Sequence, residues 1–223
     1  MALILSLETA TTNCSVALSK DGKILSTRSI NNGFSHSEKI NIFIEQVIQE
    51  AGVVLKDLDA IAVSVGPGSY TGLRIGLSTA KGLCFGLDLS LIAVSTLEAM
   101  AIGIKALPNE LIVPMIDARR MEAYCAVYDE HNKMISGPEA IVIDEKFYER
   151  FRKDFHLVVA GDGADKCISL FQNDNTIRIV PHYFPTAENL SIIAHQKFNA
   201  KDFENVSLIE PVYLKEYVSG KKL

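Results

Sequence analysis

The chain has 223 residues, 48% of them hydrophobic and 22% charged, which is enough apolar surface for a sizeable core and far from the composition of disorder. Its 22 basic against 27 acidic residues leave a formal charge of −5 with no window of clustered Lys and Arg, so nucleic acid is not expected to be gripped by this chain alone. No apolar run approaches the roughly 18 residues of a membrane span, which excludes a helical membrane anchor from the expectation.

The opening residues, Met1 to Glu8, carry no basic region and meet a carboxylate too early for a secretory signal. Three apolar runs then alternate with turn signals: Leu3 to Leu7, Cys14 to Ser19 and Lys23 to Ile30, the last two separated by Asp21-Gly22. Asp-Gly between alternating runs is a strong hairpin signal, so the chain is expected to open with three antiparallel strands. Ser37 to Ala51 places Ile40, Phe43, Ile44, Val47 and Ala51 at helical spacing, with Gly52 as a stop. Ala60 to Val65 reads as a buried strand ending in the loop Gly66-Pro-Gly-Ser-Tyr-Thr-Gly72, which leads into a helix reaching about Gly86. A buried strand from Leu91 to Val94 and a short helix from Thr96 to about Lys105 follow.

The order β-β-β-α-β-α-β-α is that of a ribonuclease-H-like unit. A weaker second copy begins at Leu111: Leu111 to Ile116 leads to Asp117 as Leu3 to Leu7 leads to Glu8, Glu122 to Tyr128 stands for Cys14 to Ser19, and Lys133-Met-Ile matches Lys23-Ile-Leu. After about residue 143 the copy degrades into a strand from His156 to Ala160, helical stretches at Phe147 to Phe151 and Asn189 to Phe198, and loop. The expectation is two lobes, residues 1–106 and 107–223, each with a mixed sheet, the second degenerate.

The glycine loop before the second helix lets backbone N–H groups approach a ligand beside a helix N-terminus, the arrangement of an anion site. It lacks the Gly-Lys-Ser/Thr of a P-loop and the last glycine of a dinucleotide fingerprint, and a tight strand-to-helix turn explains it equally well. Gly72, Gly76, Gly82 and Gly86 cost the following helix about 1 kcal/mol each relative to alanine. A small-residue face of Gly72, Ile75, Gly76, Thr79, Leu83 and Gly86 offsets that cost if a second helix packs there, either the chain's own Ser37 to Ala51 or a partner's. Glu8 with Thr9, and Asp117, close the first strands of the two halves, where carboxylates and hydroxyls serve a phosphate or cation, or cap the turn. Gly161-Asp-Gly163 is a second phosphate-type turn or a plain loop. No two of the five histidines stand four residues apart, and His36 falls in the capping region of a helix. The four cysteines form no Cys-x-x-Cys and read as small buried side chains, and Lys215, Lys221 and Lys222 as a solvated terminus.

Ile4-Leu-Ser-Leu-Glu-Thr, His36-Ser-Glu38, Val65-Gly-Pro-Gly-Ser-Tyr-Thr-Gly-Leu-Arg-Ile-Gly76, Ala80-Lys-Gly82, Asp117-Ala-Arg119 and Pro211-Val-Tyr-Leu214 together resemble the TsaB (YeaZ) family. The resemblance runs nearly end to end and implies an α/β protein of the actin-like ATPase (ASKHA) fold, with two ribonuclease-H-like lobes. It implies a non-catalytic, cytoplasmic subunit in the synthesis of threonylcarbamoyladenosine in tRNA, without metal or cofactor of its own, nucleotide being admitted only at a partner interface. The implied partners are the catalytic relative TsaD and the ATPase TsaE, with tRNA met through the complex and self-pairing when the chain is alone. The implied interface comprises His36, Ile40, Phe43, Ile44, Val47, Gly72, Ile75, Gly76, Thr79 and Leu83, while Glu8, Thr9, Asp117, Gly161 and Gly163 are the remnant of a phosphate site. TsaD carries a metal-binding histidine pair after the strand that here ends at Val94, and this chain reads Ser95-Thr-Leu-Glu-Ala-Met-Ala101 instead. The family commonly has aspartate where this chain has Glu8. The alternative is an autonomous small ATPase or kinase using Glu8, Asp117 and Gly161-Asp-Gly163.

Overall fold

The computed structural model describes residues 2–33, 35–152, 154–166, 168–171 and 174–215; Cys167, Lys221 and Lys222 lie outside them. Strand β1 (Leu3–Glu8) is buried along its whole length because helices cover both faces of its sheet. Asp21 and Gly22, with φ of 49° and 77°, make the tight turn that joins β2 (Asn13–Lys20) to β3 (Lys23–Asn31). Helix α1 (His36–Glu50) follows, then β4 (Ala60–Gly66), α2 (Tyr70–Leu87), β5 (Ser90–Ser95) and α3 (Thr96–Ile102). The first sheet has the order β3-β2-β1-β4-β5, with β1, β4 and β5 parallel and the hairpin strands antiparallel.

The second half repeats this: β6 (Glu110–Asp117), β7 (Glu122–Tyr128), β8 (Met134–Val142), α4 (Glu145–Arg152), β9 (His156–Ala160), α5 (Asp162–Asp165), α6 (Ile168–Phe171), β10 (Ile177–Val180) and α7 (Ala187–Ala200). Its sheet order, β10-β9-β6-β7-β8, is the same topology with the same parallel and antiparallel pairings. The duplication expected from sequence is therefore complete in the sheet, and it is the helices that have shrunk. Where the first half has α1 and α2, of 15 and 18 residues, the second has α4 of 8 and the 4-residue α5 and α6. A bidentate pair, Arg178 Nη2 and Nε to Glu110 at 2.6 and 2.9 Å, helps hold β10 in this sheet.

The last helix of each half packs across the boundary between the lobes. Leu97, Met100 and Ala101 of α3, with Ile104, pack on Ile112, Ile116, Ala126 and Tyr128 of the second sheet. Leu190, Ile193 and Ala194 of α7 pack on Ile4, Ala60, Ala62, Ile92 and Val94 of the first. Polar residues that interrupt the apolar strands register α7: Ser191 Oγ donates to Ser6 Oγ (2.9 Å), the Ala187 N–H to Ser15 Oγ (2.9 Å), and Asn13 Nδ2 to the Pro185 carbonyl (2.9 Å). Across the division expected between residues 106 and 107, α7 packs on the first lobe's sheet, while α3 lies between the lobes, with Ala99 and Ile102 in the first lobe's cluster and Leu97, Met100 and Ala101 in the second's. Cys14, Cys84 and Cys125 are buried, as small apolar side chains are. Among the described residues no helix is long and apolar enough to cross a membrane.

Candidate functional site

The β1–β2 turn and the N-terminus of α2 are clamped together, and glycine is what permits it. The Thr9 hydroxyl donates to the Gly72 carbonyl (2.8 Å), and the Ser69 N–H donates to the Ala10 carbonyl (2.6 Å). A Cβ on Gly68 would come 2.5 Å from the Ala10 oxygen, one on Gly72 2.1 Å from the Thr9 oxygen, and one on Gly76 2.3 Å from Thr9 Oγ1. Ser69 caps the helix by accepting from the Gly72 N–H at 3.2 Å. His36, at the start of α1, closes the turn from the other side by donating Nε2–H to the Thr11 carbonyl (2.7 Å), and burial lowers its pKa.

Glu8 lies beneath this clamp with no exposed surface. Its Oε1 accepts from the Ala10 N–H (2.6 Å) and the Ser64 hydroxyl (2.8 Å), while Oε2 accepts no hydrogen bond of good geometry. Burial raises its pKa to about 7, opposed in part by the Ala10 N–H, the Ser64 hydroxyl and the Thr9 N–H. In the second lobe Asp117 takes up an ammonium instead: Lys166 Nζ donates to Asp117 Oδ1 and to the carbonyls of Arg120 and Glu122. Asp162 caps the Asp117 N–H at 2.9 Å, and burial first, then the neighbouring Asp117, raises its own pKa. Gly161 and Gly163 fit against β6, where a Cβ would meet the Met115 oxygen at 2.0 Å and the Met115 and Ile116 carbonyl carbons at 3.0 Å.

The five expected phosphate-site residues therefore fall into two sets, one in each lobe, with no hydrogen bond or ion pair joining them among the described residues. Glu8 is shut away from solvent and Asp117 already holds a cation, so the residues present do not fit a nucleotide-bound metal ion.

The expected interface divides in two. His36, Ile40, Ile44, Val47, Gly72 and Gly76 are buried within this chain, Ile40, Ile44 and Val47 in the core of the first lobe and Gly72 and Gly76 against Thr9. Phe43 on α1 and Ile75, Thr79 and Leu83 on α2 are half-buried, the three apolar ones packed against the first lobe's core. Beside them the outer surface of α2 presents Ser78, Gly82, Phe85 and Gly86, with Phe85 65% exposed, and α1 presents Ile42. A Cβ on Gly82 or Gly86 would meet nothing within 4 Å.

The segment after α7 has the local sequence pattern of a loop. It runs back along α2: the Glu204 N–H donates to Leu91 O (2.9 Å), Lys81 Nζ to Ser207 O (3.4 Å), and the Val212 N–H to Val65 O (2.7 Å). Gly66 has φ of 119° and would place a Cβ 2.6 Å from the Val212 oxygen, so glycine there admits the strap. Tyr213 stacks near Tyr70 (4.9 Å between centroids) and accepts from Arg74 Nε (3.0 Å), and Lys215 reaches the second lobe to pair with Glu122. Pro211-Val-Tyr-Leu214 carried the only sequence signal, by resemblance and not by periodicity.

A two-lobed actin-like chain, its carboxylate turns closed by its own groups and its outer helical surface bearing open glycines, is defined at the level of class by this geometry. A family model described as "TsaD: tRNA N6-adenosine threonylcarbamoyltransferase" matches residues 31–218. The tRNA threonylcarbamoyladenosine biosynthesis protein TsaB of Escherichia coli K12 is 35% identical over 99% of this chain and 97% of its own length. A crystal structure from Pseudomonas aeruginosa, described as similar to peptidase YEAZ, superposes with a TM-score of 0.81 at 28% identity over 96% of this chain and all of that one. At 12% identity, the ADPNP-bound activator of 2-hydroxyisocaproyl-CoA dehydratase from Clostridium difficile shares the fold alone, with a TM-score of 0.51 over 91% of this chain and 98% of that one. The chain belongs to the TsaB family, within the wider group that the matching family model describes.

Proposed function

We propose that this chain is a non-catalytic, cytoplasmic subunit for N6-threonylcarbamoylation of tRNA, which binds and activates the transferase TsaD through the outer surface of α1 and α2. The observation that carries the reading is the split among the glycines of α2. Gly72 and Gly76 are required by Thr9, but Gly82 and Gly86 have no internal reason to be glycine and sit beside the exposed Phe85. A glycine inside a helix costs about 1 kcal/mol relative to alanine, and close approach of a second helix backbone offsets it. The contact surface then consists of Phe43, Ile75, Thr79 and Leu83 with Ile42, Gly82 and Phe85, and the same surface pairs two copies when the transferase is missing. TsaE joins the assembled pair, any ATP or ADP lodges at the partner interface, and tRNA is met as part of the complex. The non-catalytic reading is supported by the internal engagement of Glu8 and Asp117, the two acids an autonomous ATPase would use.

The test is co-purification with a TsaD protein, read by size-exclusion chromatography with light scattering. The native chain is expected to give a 1:1 complex that Gly82→Leu and Phe85→Glu abolish without loss of fold. A native chain that ignores TsaD, or ATP turnover by the isolated chain that Asp117→Ala removes, would replace this reading with the autonomous ATPase.

A further inference from the structure

Arg119 and Arg120 stand in succession at the tip of the β6–β7 hairpin, both exposed and both in the left-handed backbone region, with φ of 69° and 52°. Residues with a Cβ avoid this region because the side chain crowds the carbonyl, so Asn and Gly are the usual occupants of such a turn. Two arginines there are a poor choice for the hairpin and a good one for presenting guanidinium groups outward. The neighbouring lysines are engaged: Lys166 neutralises Asp117, and Lys215 neutralises Glu122. Arg120 is near enough to Glu122 to lower its pKa after the larger effect of Lys215, yet neither guanidinium has an ion-pair partner among the described residues. The hairpin tip thus carries two cations without an ion-pair partner among the described residues, on a chain whose formal charge is −5, while Arg74, its pKa raised first by its hydrogen bond to Tyr213, also has Glu210 near enough to raise it.

Lys215 is also the point where the C-terminal strap arrives at this hairpin. Two residues earlier, at most about 7 Å of chain away, Tyr213 belongs to the second feature of the seam. The Arg74 guanidinium lies 3.9 Å from the Tyr70 ring centroid and 5.9 Å from that of Tyr213. This layered arrangement is open to solvent, Arg74 and Tyr213 both being exposed.

We propose that this ridge, Arg119 and Arg120 on one lobe and Tyr70, Arg74 and Tyr213 on the other, is a contact surface for the sugar-phosphate backbone and an unpaired base of a folded RNA. The proposal rests on the reading that the chain serves tRNA modification with a transferase. The planar guanidinium fork matches phosphate oxygens in pairs, and unpaired RNA bases stack on tyrosine rings and on guanidinium planes. An acidic protein surface would use the arginines but leave the stacked rings without a role. The overall negative charge confines the attraction to this ridge. Affinity of the isolated chain therefore belongs at the weak, non-specific end, with Kd on the order of 10⁻⁴ to 10⁻⁵ M.

The experiment is fluorescence anisotropy of a labelled tRNA anticodon stem-loop titrated with the full chain over a series of salt concentrations. Native protein is compared with the double variant Arg119→Asn, Arg120→Gly, whose new residues suit the left-handed backbone and keep the hairpin folded. The native chain is expected to bind with clear salt dependence. The variant is expected to bind about tenfold or more weakly at low salt, its log K against log salt slope shallower by roughly 1.5, as two lost phosphate contacts require. Tyr213→Leu is expected to weaken binding by about 5- to 100-fold with the slope unchanged. Both variants keep the TsaD complex, which separates failure of this proposal from failure of the partner reading. No salt-dependent binding by the native chain, or a double variant that binds RNA like the native, overturns the proposal. A double variant that loses TsaD while keeping RNA also overturns it and makes the tip a protein contact.

Discussion

Glu8 combines complete burial with hydrogen bonds to only one of its two oxygens, and this makes its charge a liability of the folded state. The facing groups are the Ser64 hydroxyl from β4, Cys14 from β2 and the N–H groups of its own turn, with no cation among the causes of its shift. With a pKa raised from 4.5 to about 7, the folded chain keeps a proton between those values that the unfolded chain has released. Stability from this group is therefore full below about pH 4.5, falls as pH rises to about 7, and is flat beyond, a total of about 3 kcal/mol. Glu8→Gln keeps the shape and cannot ionise. Relative to native protein it is expected to gain about 2 kcal/mol between pH 5 and pH 7.5, most of the total, measured from urea midpoints at the two values. Parallel curves for the two proteins at both pH values would mean that Glu8 is ionised in the fold and paired in a way the geometry does not show. Aspartate at this position would be one methylene shorter and would leave Ser64 or the Ala10 N–H unsatisfied, which is a physical reason for glutamate here.

Helix α2 shows at the element scale how one residue type serves two ends. Gly72→Ala drives a Cβ into the Thr9 carbonyl, a backbone atom that cannot rotate aside, and is expected to destabilise the isolated chain by about 1–3 kcal/mol. Gly82→Ala meets open space and is expected to stabilise it by about 1 kcal/mol, through helix propensity alone. Thermal unfolding of the two variants checks both signs, and equal effects would dissolve the distinction on which the proposed interface rests. The sequence carried the position of this helix because apolar residues recur at its period, and it carried the hairpins because Asp21-Gly22 and the alternating strands state them locally. It did not carry which backbone the glycines approach, since Thr9 is 63 residues from Gly72 and no periodicity links them. The same holds for Lys166 on Asp117 and for the strap on α2, both contacts between segments whose local pattern is silent about distance. Ile40, Ile44 and Val47 show the same limit: an amphipathic stripe says that a face is covered, and here the chain's own sheet covers it.

At the scale of the molecule the packing of α3 and α7 across the lobe boundary binds the lobes into one folding unit. Residues 1–106 alone would lack α7 and expose Ile4, Ile92 and Val94, while their own α3 would carry Leu97 and Met100 into water without the second sheet. Residues 107–223 would suffer the converse loss, with Ile112, Ile116 and Tyr128 uncovered beneath the missing α3 and the stripe of Leu190 and Ile193 unpartnered. Each half would thus forfeit several fully buried side chains, each contributing about 1.5–3 kcal/mol by burial, against a typical domain stability of about 5–15 kcal/mol. Neither half is expected to fold alone: expressed separately, each should aggregate or show no cooperative unfolding by circular dichroism, whereas co-expression should recover a soluble 1:1 pair. A monomeric 1–106 fragment with a sharp thermal transition would show that the first sheet tolerates an open face and that the lobes are independent. If the halves do depend on each other, Leu97→Ala, at a site with no exposed surface, should cost about 2–5 kcal/mol and lower the melting of both lobes in one transition. That coupling would also make the seam stiff, and a stiff seam is what holds Arg119 and Arg120 of one lobe in fixed register with Arg74 and Tyr213 on the other.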